Sequence, residues 1–185
     1  MLVVCSDTHG TDDACLTGRT REAVAAADRV VHAGDFTTAA VLDAFRDRAA
    51  HLVAVHGNAD TAAVQERLPP AATTTYAGVT IAVTHTERGG ATALSLFGRQ
   101  RGADLVVSGH THRPTVETPE AGPTLLNPGS HADPRGHRAA HAELWVAGSD
   151  AAPSDVADAV ETGLVGVLRS PEGDVLGRIR VPTER

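Results

Sequence analysis

Five short apolar runs, each closed by a compact polar motif, constrain this chain more than any other feature. Residues 2–5, 29–33, 52–56, 79–84 and 105–108 are dense in Val, Ile and Leu, as expected of strands covered on both faces. At or just past their ends stand Asp7-Thr8-His9-Gly10, Gly34-Asp35, Gly57-Asn58-Ala59-Asp60, Thr84-His85 and Gly109-His110-Thr111-His112. Ala-rich segments with polar faces separate them, and residues 19–27, 37–48, 61–68 and 90–101 predict helices. Thr37 or Thr38 is the N-cap of the second, while glycines 89, 90 and 98 weaken the fourth. Strand–helix alternation with short links implies βαβ units and a mainly parallel sheet.

After residue 113 the pattern changes. Residues 114–118, 124–126, 142–146, 163–168 and 175–181 predict short strands joined by Pro/Gly turns, with 170–174 as a hairpin loop. A second, more antiparallel sheet stacked on the first follows. Residues 149–161 read either as a surface helix or as a loose insertion. Neither a repeat nor a linker divides the chain, so residues 1–185 form a single α/β domain.

Composition narrows the function. A net charge of −7 disfavours a grip on long nucleic acid, and 3% aromatics disfavour a base-stacking platform. Every basic side chain is arginine, which a GC-rich coding bias explains. Cys5 and Cys15 are too few for a disulfide framework. The start carries no basic leader and no run is long enough to span a membrane, so the expected location is the cytoplasm.

In parallel sheets the carboxyl ends of the strands share the edge where ligands bind, so the five motifs are expected to converge. Asp7/His9 and His110/His112 are i,i+2 pairs whose members share a side if extended backbone continues past the strand. Together Asp7, His9, Asp35, Asn58, His85, His110 and His112 supply two carboxylates, one amide oxygen and four imidazoles. Mn, Fe, Zn, Ni or Co accept such an N/O mixture, whereas Mg and Ca prefer oxygen alone. The donors exceed the needs of one ion. Two ions about 3.5–4 Å apart would use them, with Asp35 as the natural bridge because a carboxylate offers two oxygens.

This ordered set resembles the calcineurin-like metallophosphoesterase superfamily, and more closely its small prokaryotic phosphodiesterase branch, related to the retromer scaffold subunit. Asn127-Pro128-Gly129-Ser130, Asp133-Pro134-Arg135-Gly136 and the closing strand pair also look like that branch. The resemblance implies a four-layer αββα sandwich of two mixed sheets. It implies a dinuclear site with Asp7, His9, Asp35 and His112 on one metal, and Asp35, Asn58, His85 and His110 on the other. Asp35, Asn58 and His85 would be the catalytic positions, and manganese the expected metal. The chemistry implied is attack on a phosphodiester by hydroxide generated between the two cations, on a small substrate and without membrane or long nucleic acid; a homo-oligomer is compatible with it. Counting two dications, two carboxylates and one hydroxide, a diester closes the formal charge and a monoester leaves it negative.

Three departures from the resemblance stand out. Ala59 occupies the position where the superfamily commonly has a histidine that protonates the leaving group, which argues against a phosphomonoesterase or phosphoprotein phosphatase. Thr86 follows His85 where the branch has glycine, and residues 131–161 are longer and richer in histidine. Around the set, His32 is expected to orient a ligand, Asp60 to cap the next helix or bond a ligand histidine, and His56 to be a packed strand residue. His131 is expected outside the site, and Arg113 and Arg135 are candidates for substrate phosphate. A catalytically silent scaffold would have lost ligands, and none is lost.

Overall fold

The computed structural model describes residues 1–154, 156 and 160–183. Two mixed sheets lie face to face. One contains, in order across the sheet, β11 (Val175–Pro182), β10 (Gly163–Arg169), β9 (His141–Val146), β1 (Leu2–Cys5), β2 (Arg29–His32) and β3 (Leu52–Ala54). The other runs β4 (Ala71–Tyr76), β5 (Val79–Thr84), β6 (Leu105–Val107), β8 (Thr124–Asn127) and β7 (Thr115–Glu117). Within the first, β1, β2 and β3 are parallel while β1–β9, β9–β10 and β10–β11 are antiparallel. Within the second, β5–β6 and β6–β8 are parallel, with antiparallel edges at β4 and β7.

Helices cover the outer faces. α1 (Gly18–Ala26), α2 (Ala39–Arg48) and α3 (Ala62–Gln65) pack on the first sheet, and α4 (Gly90–Arg99) on the second. Strand alternation decides which layer each side chain fills. In β1, Leu2 and Val4 enter the core between the sheets, whereas Val3 and Cys5 face Val24, Leu42 and Phe45 of the helices. In β6, Leu105 and Val107 face the inter-sheet core while Val106 meets Phe97 of α4. The result is the αββα sandwich that the resemblance implied.

The division into sheets differs from the expectation. The boundary does not fall near residue 113: the first sheet takes the first three and the last three strands, and the second takes the five between. β1 pairs on its far side with β9 rather than with another strand of the N-terminal half. β4, with sequence Ala-Ala-Thr-Thr-Thr-Tyr, has no dense apolar run to announce it and forms by hairpin pairing with β5. Thr38, not Thr37, caps α2, accepting from the Val41 amide at 3.4 Å. Gly98 does not weaken α4: a Cβ there would lie 2.4 Å from Val106 Cγ2, so the glycine sets how closely α4 seats on β6. Of residues 149–161, the described ones form turns with Val156 buried under Trp145; the rest lie outside the described residues.

α1 buries only Thr20, Ala23 and Val24, and ionic contacts supplement that apolar grip. Glu143 of β9 is fully buried and receives Arg19 Nε at 2.8 Å and Nη2 at 2.6 Å. His141 Nε2 lies 3.0 Å and Arg169 Nε 3.3 Å from the same carboxylate, and Thr20 Oγ1 meets His141 Nδ1 at 2.9 Å. One buried charge thereby ties α1 to β9 and β10.

Candidate metal centre

The five motifs do converge, but from both sheets: β1, β2 and β3 deliver three loops, and β5 and β6 deliver two. The extended-backbone argument for the i,i+2 pairs fails. Asp7 (φ +53°), His9 (+47°), Asp35 (+60°), His110 (+71°) and His112 (+57°) all adopt the left-handed conformation, which costs a non-glycine residue about 1–3 kcal/mol. Backbone hydrogen bonds between neighbouring loops hold them: Asp7 N–H donates to Gly34 O at 2.9 Å, His9 N–H to Asp35 O at 3.0 Å, and Gly109 N–H to His85 O at 3.0 Å.

At the centre, His9 Nε2 stands 3.2 Å from His112 Nε2, 3.4 Å from Asp35 Oδ2 and 4.0 Å from Asp7 Oδ1. His112 Nε2 is 3.4 Å from Asp7 Oδ1, and His85 Nε2 is 3.3 Å from Asp35 Oδ2. Tautomers follow from the outer contacts, because a carbonyl can only accept. His85 Nδ1 donates to Ala33 O at 2.7 Å and His112 Nδ1 donates to Asp133 O, so both neutral rings turn a bare Nε2 lone pair toward a carboxylate oxygen. His85 Nε2 is buried without a hydrogen-bond partner. Facing lone pairs repel unless a proton or a metal cation lies between them, and the crowding of further N and O donors around the same atoms fits divalent metal. Ligand atoms of Asp7, His9 and His112, and of Asp7, Asp35 and His85, form two groups each within 4.8 Å. At the exposed side His110 Nδ1 lies 2.8 Å from Asn58 Oδ1, its ring edge-on to His85 at 5.3 Å.

Electrostatics match the crowding. Burial raises the Asp7 carboxyl above its ordinary value, with the Ser6 hydrogen bond and the charges of His85 and His112 opposing. Burial acts likewise on Asp35, but the positive form of His85 beside it at 3.3 Å, together with the Ala59 amide (2.8 Å), holds it below the usual value. His85 is raised: burial opposes its charge and Asp35 outweighs that. His9 is lowered, chiefly by burial.

Other expectations meet the surrounding residues. His56 is not a packed strand residue: it lies past the end of β3, half-buried, and lines a groove with Asn58 and His85. His32 is fully buried; its Nδ1 accepts from Gly34 N–H at 3.2 Å, so its Nε2–H donates to Thr8 Oγ1 at 2.9 Å, linking the loops of β1 and β2. Asp60 neither caps α3 nor touches a histidine. It receives the amides of Gly57 (2.7 Å), Thr37 (2.7 Å) and Asp35 (3.1 Å), a role that its neighbours in sequence do not reveal. His131 is buried against Phe45 and hydrogen-bonds Ala14 O at 3.0 Å, away from the centre. The Asn-Pro-Gly-Ser turn supports the site: Asn127 Nδ2 donates to Gly109 O at 2.7 Å and Ser130 Oγ to Asp7 O at 2.6 Å. Gly57 has no room for a side chain, since a Cβ would lie 2.2 Å from Asp35 Oδ1. Gly57→Ala is expected to displace Asp35, costing about 2 kcal/mol of stability and most of the bound metal, read by thermal melting and elemental analysis.

A donor set of imidazoles, carboxylates and one amide, gathered on loops at the edges of a two-sheet sandwich, is chemically suited to divalent transition metals. The chain belongs to the calcineurin-like phosphoesterase superfamily, whose domain model matches residues 1–146. It is 35% identical over 140 residues to a probable metallophosphoesterase of Methanocaldococcus jannaschii, covering 73% of this chain and 70% of that one. Among solved structures it resembles a conserved protein of Streptococcus pneumoniae, a predicted phosphoesterase, with TM-score 0.67, 22% identity and coverage of 94% and 91%. Vps29 of Entamoeba histolytica, solved with zinc, gives TM-score 0.69, 19% identity and coverage of 96% and 97%. Among the described residues no helix is long and apolar enough to cross a membrane.

Proposed function

We propose that the protein is a metal-dependent phosphodiesterase acting on a low-molecular-weight or nucleotide-derived diester. The observation that carries this reading is the buried Nε2 of His85, without a hydrogen-bond partner and facing Asp35 Oδ2, inside a cluster of further donor atoms. Asp7, His9, Asp35 and His112 would hold one cation, and Asp35, Asn58, His85 and His110 the second. Asp35 would serve both, its Oδ2 standing 3.4 Å from His9 Nε2 and 3.3 Å from His85 Nε2. Manganese is the metal we assign, and Ni, Fe, Zn and Co suit the same donors. Two bound dications supply an acidified water and neutralise charge on the phosphoryl oxygens.

The chain's own residues orient and select. The Ala59 amide holds Asp35 Oδ1, leaving Oδ2 to the cluster. Arg135 Nη2 lies 3.4 Å from His9 Nε2, with its Nε paired to Asp133 at 3.0 Å, so a guanidinium borders the cluster where a phosphate oxygen can take its hydrogen bond. Ala59 has no proton to give the leaving group, which favours diesters with good leaving groups over monoesters. The scaffold reading is set aside because all seven ligand positions are kept. Its two free cysteines, Cys5 and Cys15, suit the reducing cytoplasm.

Manganese-loaded protein is expected to hydrolyse bis(p-nitrophenyl) phosphate with a higher kcat/KM than p-nitrophenyl phosphate. The opposite order in steady-state assays would replace this proposal with a phosphomonoesterase.

A further inference from the structure

A groove of about 690 Å³ leaves the metal-ligand cluster between α4 and the start of β4. His85 and Asn58 line its inner end, so whatever occupies it adjoins the reacting centre. That volume lies within the range of about 300–1,000 Å³ usual for small-molecule sites. Its walls are partly apolar, with Ala71, Ala93 and Phe97, and Leu96 stands at its edge 56% exposed, the most exposed large hydrophobic among the described residues. That exposure leaves the Leu96 side chain available to a molecule seated in the groove.

The polar atoms of the groove suit a flat ring with hydrogen-bonding edges. Arg101 sits over the Phe97 ring at 3.7 Å and donates to the Phe97 carbonyl at 3.1 Å, which fixes a planar guanidinium in the wall. Guanidinium planes stack on nucleobases. Gln65 Nε2 is committed to Asp60 O at 2.7 Å, leaving its Oε1 as an acceptor, and Gln100 adds a second carboxamide. An alkyl chain would use neither the amides nor the arginine. We propose that this groove seats the nucleoside arm of a nucleotide-derived diester, held by its base against Leu96 and the outer face of the Arg101 guanidinium that covers Phe97. The proposal rests on the phosphodiesterase reading and names its substrate class.

The test compares two esters that share leaving group and charge, thymidine 5′-(p-nitrophenyl) phosphate and ethyl p-nitrophenyl phosphate, with manganese-loaded protein. The thymidine ester is expected to show a kcat/KM about tenfold higher, the worth of one stacked base. Ala93→Trp, which fills the groove, and Leu96→Glu, at an exposed position that cannot unfold the core, are expected to erase that preference and leave the ethyl ester unchanged. Independently of turnover, thymidine added at tens of millimolar to metal-free protein should shift the Leu96 and Ala93 NMR signals of wild type in proportion to its concentration, and the Ala93→Trp variant should lack those shifts. Equal rates for the two esters with wild-type protein, or the absence of those shifts, would overturn the groove assignment while diester hydrolysis stands. Shifts confined to the groove with neither ester hydrolysed would support the groove and remove the phosphodiesterase reading.

Discussion

An Asp35→Ala protein is expected to lose about a thousandfold or more in diester turnover and to retain less metal than the wild type at both cation positions. Asp35 Oδ2 stands between His9 and His85, so its removal takes a donor from each side of the cluster. Stability should fall as well. Without metal, Asp35 accepts from the Ala59 amide and stands beside a His85 whose positive form it favours, and those contacts hold its carboxyl below the usual value, a stabilising contribution that alanine removes. The metal-free variant is therefore expected to melt lower than metal-free wild type. Added manganese, at about a hundredfold excess over its dissociation constant, should stabilise wild type by about 2.7 kcal/mol and the variant by much less. Elemental analysis and calorimetric melting with and without manganese check both parts. A variant that keeps its turnover would remove Asp35 from the bridging role.

The second large effect is on stability alone. Glu143→Ala should cost about 3 kcal/mol at neutral pH, lowering Tm by about 6–12 °C. The lower end of the range for broken buried pairs applies because Arg19 and Arg169 keep partial contact with water and can turn outward. Acid should close the gap. Burial pushes the Glu143 carboxyl up, but hydrogen bonds from Arg19 and His141 bring it from 4.5 down to about 2 in the folded chain. A depressed folded value stabilises above the unfolded value and is lost as pH falls. The difference between wild type and variant should thus be full above pH 4.5 and shrink toward pH 2. Denaturant titration at pH 7 and pH 3 measures it; a gap that does not narrow would mean that Glu143 acts by packing rather than by charge.

Much of the site was legible because apolar strands and polar termini alternate sharply in this chain. Leu2–Cys5 followed by Asp7 and His9 is readable from local pattern alone. What escaped is what local pattern does not encode. β4 is made of Ala and Thr and owes its existence to β5, and the pairing of Leu2 with Leu144 joins residues far apart in the chain. The i,i+2 argument assumed extended backbone where Asp7, His9, His110 and His112 turn left-handed, so these residues gather by a geometry other than the expected one. Asp60 looked like a helix cap because it precedes Thr61, yet its carboxylate serves amides on two loops. The groove was hidden for a similar reason, since the sequence of residues 90–101 predicts a helix but not that α4 stands beside His85.

The position of β1 in the middle of its sheet carries a consequence for synthesis. During synthesis β1 waits for residues 141–146 before its second edge is sealed, and β9 in turn waits for β10. The chain must emerge through residue 169 before the scaffold beneath Asp7 and His9 closes. Metal capture should accordingly follow translation, and a nascent chain stalled short of β9 should handle manganese as an unstructured peptide would.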